Sequence, residues 1–122
     1  MNRFTAALGC VVAAAFLGAT DGLTETVEEN YRLYCVQCHG TAGTGRSINQ
    51  AAGGLAVSAR DHSSTAQMSK LTDDEIRLAI AKGGDAVQKS ELMPPWDAVL
   101  TAKEIDDLVV YLRKLCKCAA AN

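Results

Sequence analysis

The sequence predicts an all-α domain in which three to four helices and loops surround one bound group. Three observations support this prediction. Apolar residues recur at three- and four-residue spacing near residues 24–36, 72–84 and 101–116, which is typical of helices with one buried face. No stretch alternates apolar and polar residues well enough to be a strand. Aromatic residues make up only 5% of the chain, so a bound apolar group would supply much of the core volume.

Length and charge restrict the organisation of the chain and its partners. A chain of 122 residues has room for one hydrophobic core, so we expect a single domain. The formal net charge of −2 argues against a nucleic-acid partner and against a basic membrane-binding face. We expect the domain at residues 20–118 and a short tail at residues 119–122.

Residues 1–19 are predicted to be a signal peptide. Arg3 provides the positive start, and an apolar run from residue 4 to residue 19 follows it. This run of 16 residues is short for a membrane span, which needs about 20. We expect cleavage after about Ala19. An uncleaved anchor and lipidation at Cys10 are the alternatives.

The first predicted helix runs from residue 24 to about residue 36. Its apolar stripe consists of residues three and four positions apart, namely Val27, Tyr31 and Tyr34. The stripe leads directly into Cys35, so the helix is expected to position whatever that cysteine binds.

Residues 35–39 read C-V-Q-C-H, which is the attachment sequence for a c-type haem. In such a motif the thiols of Cys35 and Cys38 add across the two haem vinyl groups, and the imidazole of His39 binds the iron. Two intervening residues place both sulfur atoms along one porphyrin edge, and the adjacent histidine then lies under the ring. We therefore expect one covalently bound haem c.

The motif and the leader together predict a periplasmic protein, because haem is usually attached to such motifs on the far side of the bacterial inner membrane. A thioredoxin-like or zinc-binding C-x-x-C is the alternative. A zinc site needs two further ligands. Outside the leader only His62, Cys116 and Cys118 remain, and they form no matching second pair.

Residues 40–70 are predicted to be a loop, because five glycines interrupt any long helical period. A loop of this length is uncommon in a compact domain unless it has a function. We expect it to cover one face of the haem.

The second and third predicted helices each begin with a capping box. Thr72 and Glu75 open the second helix, which the glycines at 83–84 should end. Thr101 and Glu104 open the third. Its buried face is expected to carry Ile105, Leu108, Val109, Leu112 and Leu115, with Tyr111 beside them.

Met93 is the predicted second axial ligand of the iron. It precedes Pro94 and Pro95, which restrict the backbone and hold the thioether in a stiff, non-helical segment. A soft sulfur ligand suits low-spin haem iron. Met68 and His62 are the rival ligands, although His62 lies in a polar loop where a solvent-facing imidazole is typical.

Cys116 and Cys118 remain after the haem has taken two thiols. The pair is expected to close a small intrachain loop, to bridge to a second molecule, or to bind a soft metal such as Cu(I). Free or oxidised thiols without a function are the further alternative.

Over about residues 24–116 the chain resembles class I cytochrome c, particularly the small bacterial monohaem periplasmic kind. The matching motifs are C-V-Q-C-H-G at 35–40 with Tyr31 before it, the glycine-rich loop at 43–45, T-D-D-E-I with its terminal glycines, M-P-P-W at 93–96, and the last amphipathic helix.

The resemblance implies that the first and last helices cross, with Tyr31 meeting the face that bears Leu108 and Tyr111. It also implies His39 and Met93 as axial ligands and a haem edge exposed for electron exchange. Many members have a proline after the motif whose carbonyl accepts a hydrogen bond from the axial histidine. No proline lies between Gly40 and Leu92, so we expect a carbonyl within residues 46–55 to accept it.

The expected function is periplasmic transfer of single electrons through a His/Met-ligated haem c, without enzymatic activity. The partners would be transient redox proteins, a donor and an acceptor, and the chain is expected to be a monomer. A haem-based sensor of NO or CO is one alternative. A dedicated cytochrome subunit of a periplasmic dehydrogenase is the other.

Overall fold

The computed structural model describes residues 25–51, 53 and 57–121, and the predicted signal peptide lies outside them. The described residues form helices, turns and loops without a strand, which confirms the all-α prediction. Within these ranges six α-helices follow in chain order, with a single 3₁₀ turn at Asp85–Val87 between the last two: α1 Val27–Tyr34, α2 Val36–His39, α3 Ile48–Ala51, α4 Thr65–Met68, α5 Asp73–Lys82 and α6 Ala102–Cys116.

The three longer helices, α1, α5 and α6, all begin with a complete capping box. In each box a threonine side chain accepts a hydrogen bond from the glutamate main chain, and the glutamate side chain accepts one in return. The pairs are Thr26 with Glu29, Thr72 with Glu75, and Thr101 with Glu104. The two predicted boxes are therefore confirmed.

The first helix is shorter than predicted. The box at Thr26 starts it at Val27, three residues late, and the chain makes a turn at Cys35 before α2 begins. This turn separates the helix that packs in the core from the single turn that carries the haem motif.

Packing of α1 against α6 forms the centre of the core. The rings of Tyr31 and Tyr111 lie 5.1 Å apart between centroids, and Leu108 is buried beside them. The crossing that the family resemblance implied is therefore confirmed. Helix α5 packs against α6 as well and adds Ile76 and Ile80 to the same core.

The segment predicted to be a loop contains two one-turn helices, α3 and α4. Ser64 caps α4 by accepting a hydrogen bond from the main chain of Gln67. A helix of four residues is too short to repeat an apolar position, so periodicity does not reveal it.

The C-terminal end of α6 is closed by a disulfide between Cys116 and Cys118. The disulfide uses both sulfur atoms, which fits the expected intrachain loop and equally the oxidised pair without a function. Beyond it, the main chain of Ala121 donates a hydrogen bond to Leu71, so the predicted tail packs back onto the domain. Within the described ranges no helix is long and apolar enough to cross a membrane.

Candidate haem-binding site

A cavity of about 1840 Å³ lies between α1, α2, α5, α6 and the loops that connect them. All four predicted site residues line it: Cys35, Cys38, His39 and Met93. The two rival ligands, Met68 and His62, line it too. The structure therefore brings the predicted residues and their rivals together in one cavity.

One helical turn presents the whole attachment motif to the cavity. Cys35 caps α2, and the main chains of Cys38 and His39 both donate to its carbonyl, over 3.2 and 2.9 Å. Residues three and four positions apart share one face of a helix, so both thiols and the imidazole project from the same side. Both thiols are free and half-buried.

The electrostatics of Cys35 do not suit a reactive thiolate. Burial, together with the nearby Cys38, raises the pKa of the Cys35 thiol to about 12. The reactive cysteine of a thioredoxin-like motif needs a lowered thiol pKa instead. Among the described residues, no three acidic, histidine or cysteine side chains converge to hold a metal ion, so the zinc alternative gains no support either.

The ring of His39 is buried and held in one tautomer. Its Nδ1 lies 2.9 Å from the carbonyl oxygen of Arg60. A carbonyl only accepts, so Nδ1 carries the proton and the lone pair on Nε2 is free to bind iron. Burial also lowers the pKa of His39, which favours the neutral imidazole that metals bind.

The carbonyl that accepts this bond lies outside the predicted range of 46–55, so that expectation is wrong. The reason is a close contact between two distant parts of the loop. Gly45 has φ +74°, and a Cβ on it would lie 2.4 Å from the carbonyl oxygen of Ala59. Since glycine lacks that atom, the later segment packs directly on residue 45 and delivers Arg60 to His39.

His62 is buried and not solvent-facing, contrary to expectation, with only 7% of its surface exposed. Its ring stacks on that of His39, with centroids 3.8 Å apart and planes at 17°. It therefore lies directly alongside the ring of His39, on the same wall of the cavity. Burial also lowers its pKa well below the usual histidine value.

Met93 lies in a segment anchored on the end of α5. The main chain of Gly84 donates to the carbonyl of Met93 over 2.9 Å, and that of Trp96 donates to Ile80 over 3.1 Å. Gly83 ends α5 with φ +84°, and a Cβ there would lie 2.7 Å from the Met93 carbonyl oxygen. The segment can approach the helix this closely because residue 83 is glycine. Met68, by contrast, is only 1% exposed within the core.

An aromatic contact connects this segment to the attachment motif. The rings of Tyr34, directly before Cys35, and Trp96, three residues after Met93, lie 5.1 Å apart. Leucine and isoleucine side chains from α5, α6 and their flanking segments complete the wall, namely Leu71, Ile76, Ile80, Leu100, Leu108 and Leu112. Two thiols, one imidazole and one thioether on a largely apolar cavity fit a haem c, whose thiols attach it covalently and whose iron accepts imidazole and thioether ligands.

Comparison with known proteins points in the same direction. The family model described as cytochrome C oxidase, cbb3-type, subunit III matches residues 22–112. The solved structure of the KustC0563 c-type cytochrome matches with a TM-score of 0.56 and 26% identity, over 72% of this chain and 94% of that chain. No curated protein sequence matches.

A second solved structure shows the same fold at lower identity. A chain of the Kuenenia stuttgartiensis reducing HAO-like protein complex Kustc0457/Kustc0458 matches with a TM-score of 0.58 and 23% identity, over 75% of this chain and 42% of that chain. Cytochromes of this kind carry covalently bound haem c and transfer electrons. Since the family model spans most of the sequence, the chain belongs to the cytochrome c family.

Proposed function

We propose that the protein carries single electrons in the periplasm through one haem c, attached at Cys35 and Cys38 and ligated by His39 and Met93. The observation that carries the proposal is the hydrogen bond from His39 to the Arg60 carbonyl. It holds the imidazole in the tautomer that leaves Nε2 free to bind a metal, and His39 lines the same cavity as both thiols.

The haem would supply the Fe(III)/Fe(II) couple, and the protein would supply fixed ligands and a largely apolar pocket. Main-chain hydrogen bonds hold His39 through Arg60 and hold Met93 through Gly84. Ligands held from outside the cavity keep their positions when the iron changes its oxidation state. Small ligand movement favours fast electron exchange, so the arrangement suits a carrier.

Met93 is preferred to its rivals because of where each side chain lies. His62 stacks on the ring of His39, on the wall where the first axial ligand already stands. Met68 is packed in the core at 1% exposure, whereas Met93 is half-buried on a segment between the end of α5 and the start of α6.

Periplasmic location and monomeric behaviour complete the proposal. The predicted leader at residues 1–19, removed after about Ala19, supports export. Contacts with a donor and an acceptor would be small and short-lived, as redox encounters must be to turn over quickly.

Absorption spectra of the exported, haem-loaded protein test the ligand set. The ferric wild type is expected to show the weak long-wavelength sulfur–iron charge-transfer band, and the ferrous form to refuse CO. Met93→Ala should lose the band and bind CO. A wild type that binds CO readily, together with an identical Met93→Ala variant, would favour the gas-sensing alternative instead.

Met68→Ala is the matched control for the other methionine of the cavity. It should keep the charge-transfer band and the resistance to CO while losing about 2–5 kcal/mol of unfolding free energy, because a buried side chain is truncated. Covalent attachment is checked separately. One haem per chain should remain bound after denaturation, and Cys35→Ser/Cys38→Ser should release it.

A further inference from the structure

We propose that His62 is a positioning residue for the axial histidine: its stacked imidazole, held by Tyr31, fixes the plane of the His39 ring. The inference rests on the proposed function in one respect, that His39 binds the haem iron. It assigns His62 no bond to iron and no part in electron transfer except through His39.

The contact between the two rings is close and nearly parallel. Their centroids are 3.8 Å apart and their planes differ by 17°. His39 and His62 are 8% and 7% exposed, so no solvent layer separates them from the surrounding side chains. A ring packed flat against the face of His39 blocks its rotation about the Cβ–Cγ bond.

Helix α1 holds the ring of His62 in place. The Tyr31 hydroxyl and Nδ1 of His62 share a hydrogen bond of 3.0 Å, and Tyr31 itself is 2% exposed. The ring of Tyr31 packs in turn on Tyr111 of α6. The orientation of His62 is thus connected to the α1–α6 core and does not depend on the loop alone.

The main chain near His62 is equally fixed. Its N–H donates to the carbonyl of Gly43 over 2.6 Å. A Cβ on Gly43 would lie 3.0 Å from the Tyr31 hydroxyl oxygen and 3.2 Å from Cβ of His62, which shows how closely the three residues pack. The segment therefore has little freedom to move away from His39.

One short segment therefore constrains the axial ring in two directions. The Arg60 carbonyl accepts from its edge, and His62, two residues later, covers its face. A ring fixed at edge and face has one orientation about the iron–nitrogen axis. That orientation determines which iron orbitals the imidazole π-system overlaps, and the edge bond determines how strongly the ligand donates.

Packing alone does not account for an imidazole at this position. A leucine side chain would fill similar space without the desolvation that a buried polar ring incurs. The ring is buried nonetheless, and its Nδ1 has a partner supplied by a different helix. The hydrogen bond fixes the orientation of the ring that packs on His39, and an aliphatic side chain could not be fixed in this way.

The test uses the haem-loaded protein and three variants, His62→Leu, Tyr31→Phe and the matched control Tyr111→Phe. Two quantities are measured: the hyperfine-shifted haem methyl resonances of the ferric form, which report the plane of the axial histidine, and the reduction potential. The control removes one hydroxyl from the ring that neighbours Tyr31 and leaves the bond to His62 intact.

His62→Leu is expected to change the order or spread of the methyl shifts. It should also raise the reduction potential by ~28 mV, which corresponds to a roughly threefold larger equilibrium constant for one-electron reduction. The rise follows because a looser segment weakens the bond from His39 to Arg60, and a less electron-rich ligand stabilises ferric iron less. Tyr31→Phe should shift both quantities in the same sense by less, and Tyr111→Phe should match the wild type.

Wild-type methyl shifts and potential in His62→Leu would overturn the inference. If His62→Leu does not fold, Tyr31→Phe decides, because it removes a single oxygen atom; an unchanged spectrum there overturns the inference equally. Failure of the proposed function appears in the wild type itself. Ready CO binding removes Met93 as a ligand but leaves the test on His39 intact, whereas a chain without bound haem overturns both.

Discussion

Arg113 of α6 pairs with Asp73 at the start of α5, with Nε and Oδ1 2.8 Å apart. The same guanidinium donates to the carbonyls of Met68 and Leu71, over 2.8 and 2.7 Å. Both of these residues line the cavity. One planar side chain therefore fixes the connection between α4 and α5, a geometry that a lysine cannot reproduce.

Arg113→Lys is expected to lower the free energy of unfolding by about 1–3 kcal/mol, because at least one buried carbonyl loses a charged donor. Denaturant titration of the haem-loaded protein measures it. Arg77→Lys is the control, since Arg77 pairs with Asp74 and Asp106 on the surface and the change there should be below about 1 kcal/mol. Equal losses of unfolding free energy in the two variants would show that the contacts of the Arg113 guanidinium with the two carbonyls contribute nothing extra.

Gly45→Ala is expected to disturb the surroundings of His39, and Gly53→Ala is its matched control. Both glycines have nearly the same φ, +74° and +73°, but an added Cβ meets the Ala59 carbonyl only at residue 45. Gly53→Ala should lose only the ~1–2 kcal/mol of an unfavourable backbone conformation. Gly45→Ala should lose more and shift the reduction potential, because Arg60 must move away from His39. Similar stability and potential in the two variants would show that the close approach is unimportant.

The disulfide between Cys116 and Cys118 is expected to contribute little to stability. Its ring encloses one intervening residue, for which loop-closure entropy gives only about 1.5 kcal/mol. Thiol titration of the denatured haem protein should find no free thiol until a reductant is added, and then two. A non-reducing gel should show a monomer. A reducible dimer that Cys116→Ser/Cys118→Ser abolishes would instead restore the intermolecular bridge.

Glu75 is expected to make stability depend on pH. The hydrogen bond from the main chain of Thr72 lowers its pKa in the folded protein, and the bond from the Thr72 side chain adds a smaller lowering. A lowered folded pKa means that the contribution is complete above the ordinary glutamate value and is lost as pH falls through the folded value. Glu75→Gln should therefore lower the melting temperature at pH 7 and have a smaller effect at pH 3.

The control for this pH dependence is Glu91→Gln, which changes an exposed loop carboxylate. Its melting temperature should differ from that of the wild type by the same amount at both pH values. If the melting temperature of Glu75→Gln also differs from that of the wild type by the same amount at both pH values, the capping box does not cause the pH dependence of stability.

The long helices could be predicted because their signals are local. The boxes at Thr72 and Thr101 and the glycine at 83 each act within one helical turn, and all three end or start helices as expected. The box at Thr26 carries the same signal, but the apolar stripe before Cys35 suggested a longer helix. Helix α4 had a usable sign as well, a serine at residue 64 followed three positions later by glutamine.

The surroundings of His39 could not be predicted in the same way. A main-chain carbonyl leaves no mark in a sequence, and its distance of 21 residues along the chain from His39 exceeds any local pattern. The same holds for His62, because its buried ring shares a hydrogen bond with the hydroxyl of Tyr31, 31 residues earlier. Side-chain chemistry marks His62 as a possible ligand, but only the path of the loop places its ring on that of His39.

The bond between His39 and the main chain of Arg60 also affects how such a protein evolves. Any amino acid has a carbonyl, so the identity of residue 60 can drift without loss of the acceptor, and the proline common at this point in related proteins is dispensable. The length of the loop does not have that freedom. One residue inserted or deleted between Gly45 and Arg60 would offer a different carbonyl, or none, so selection should tolerate substitution in this stretch far better than a change in its length.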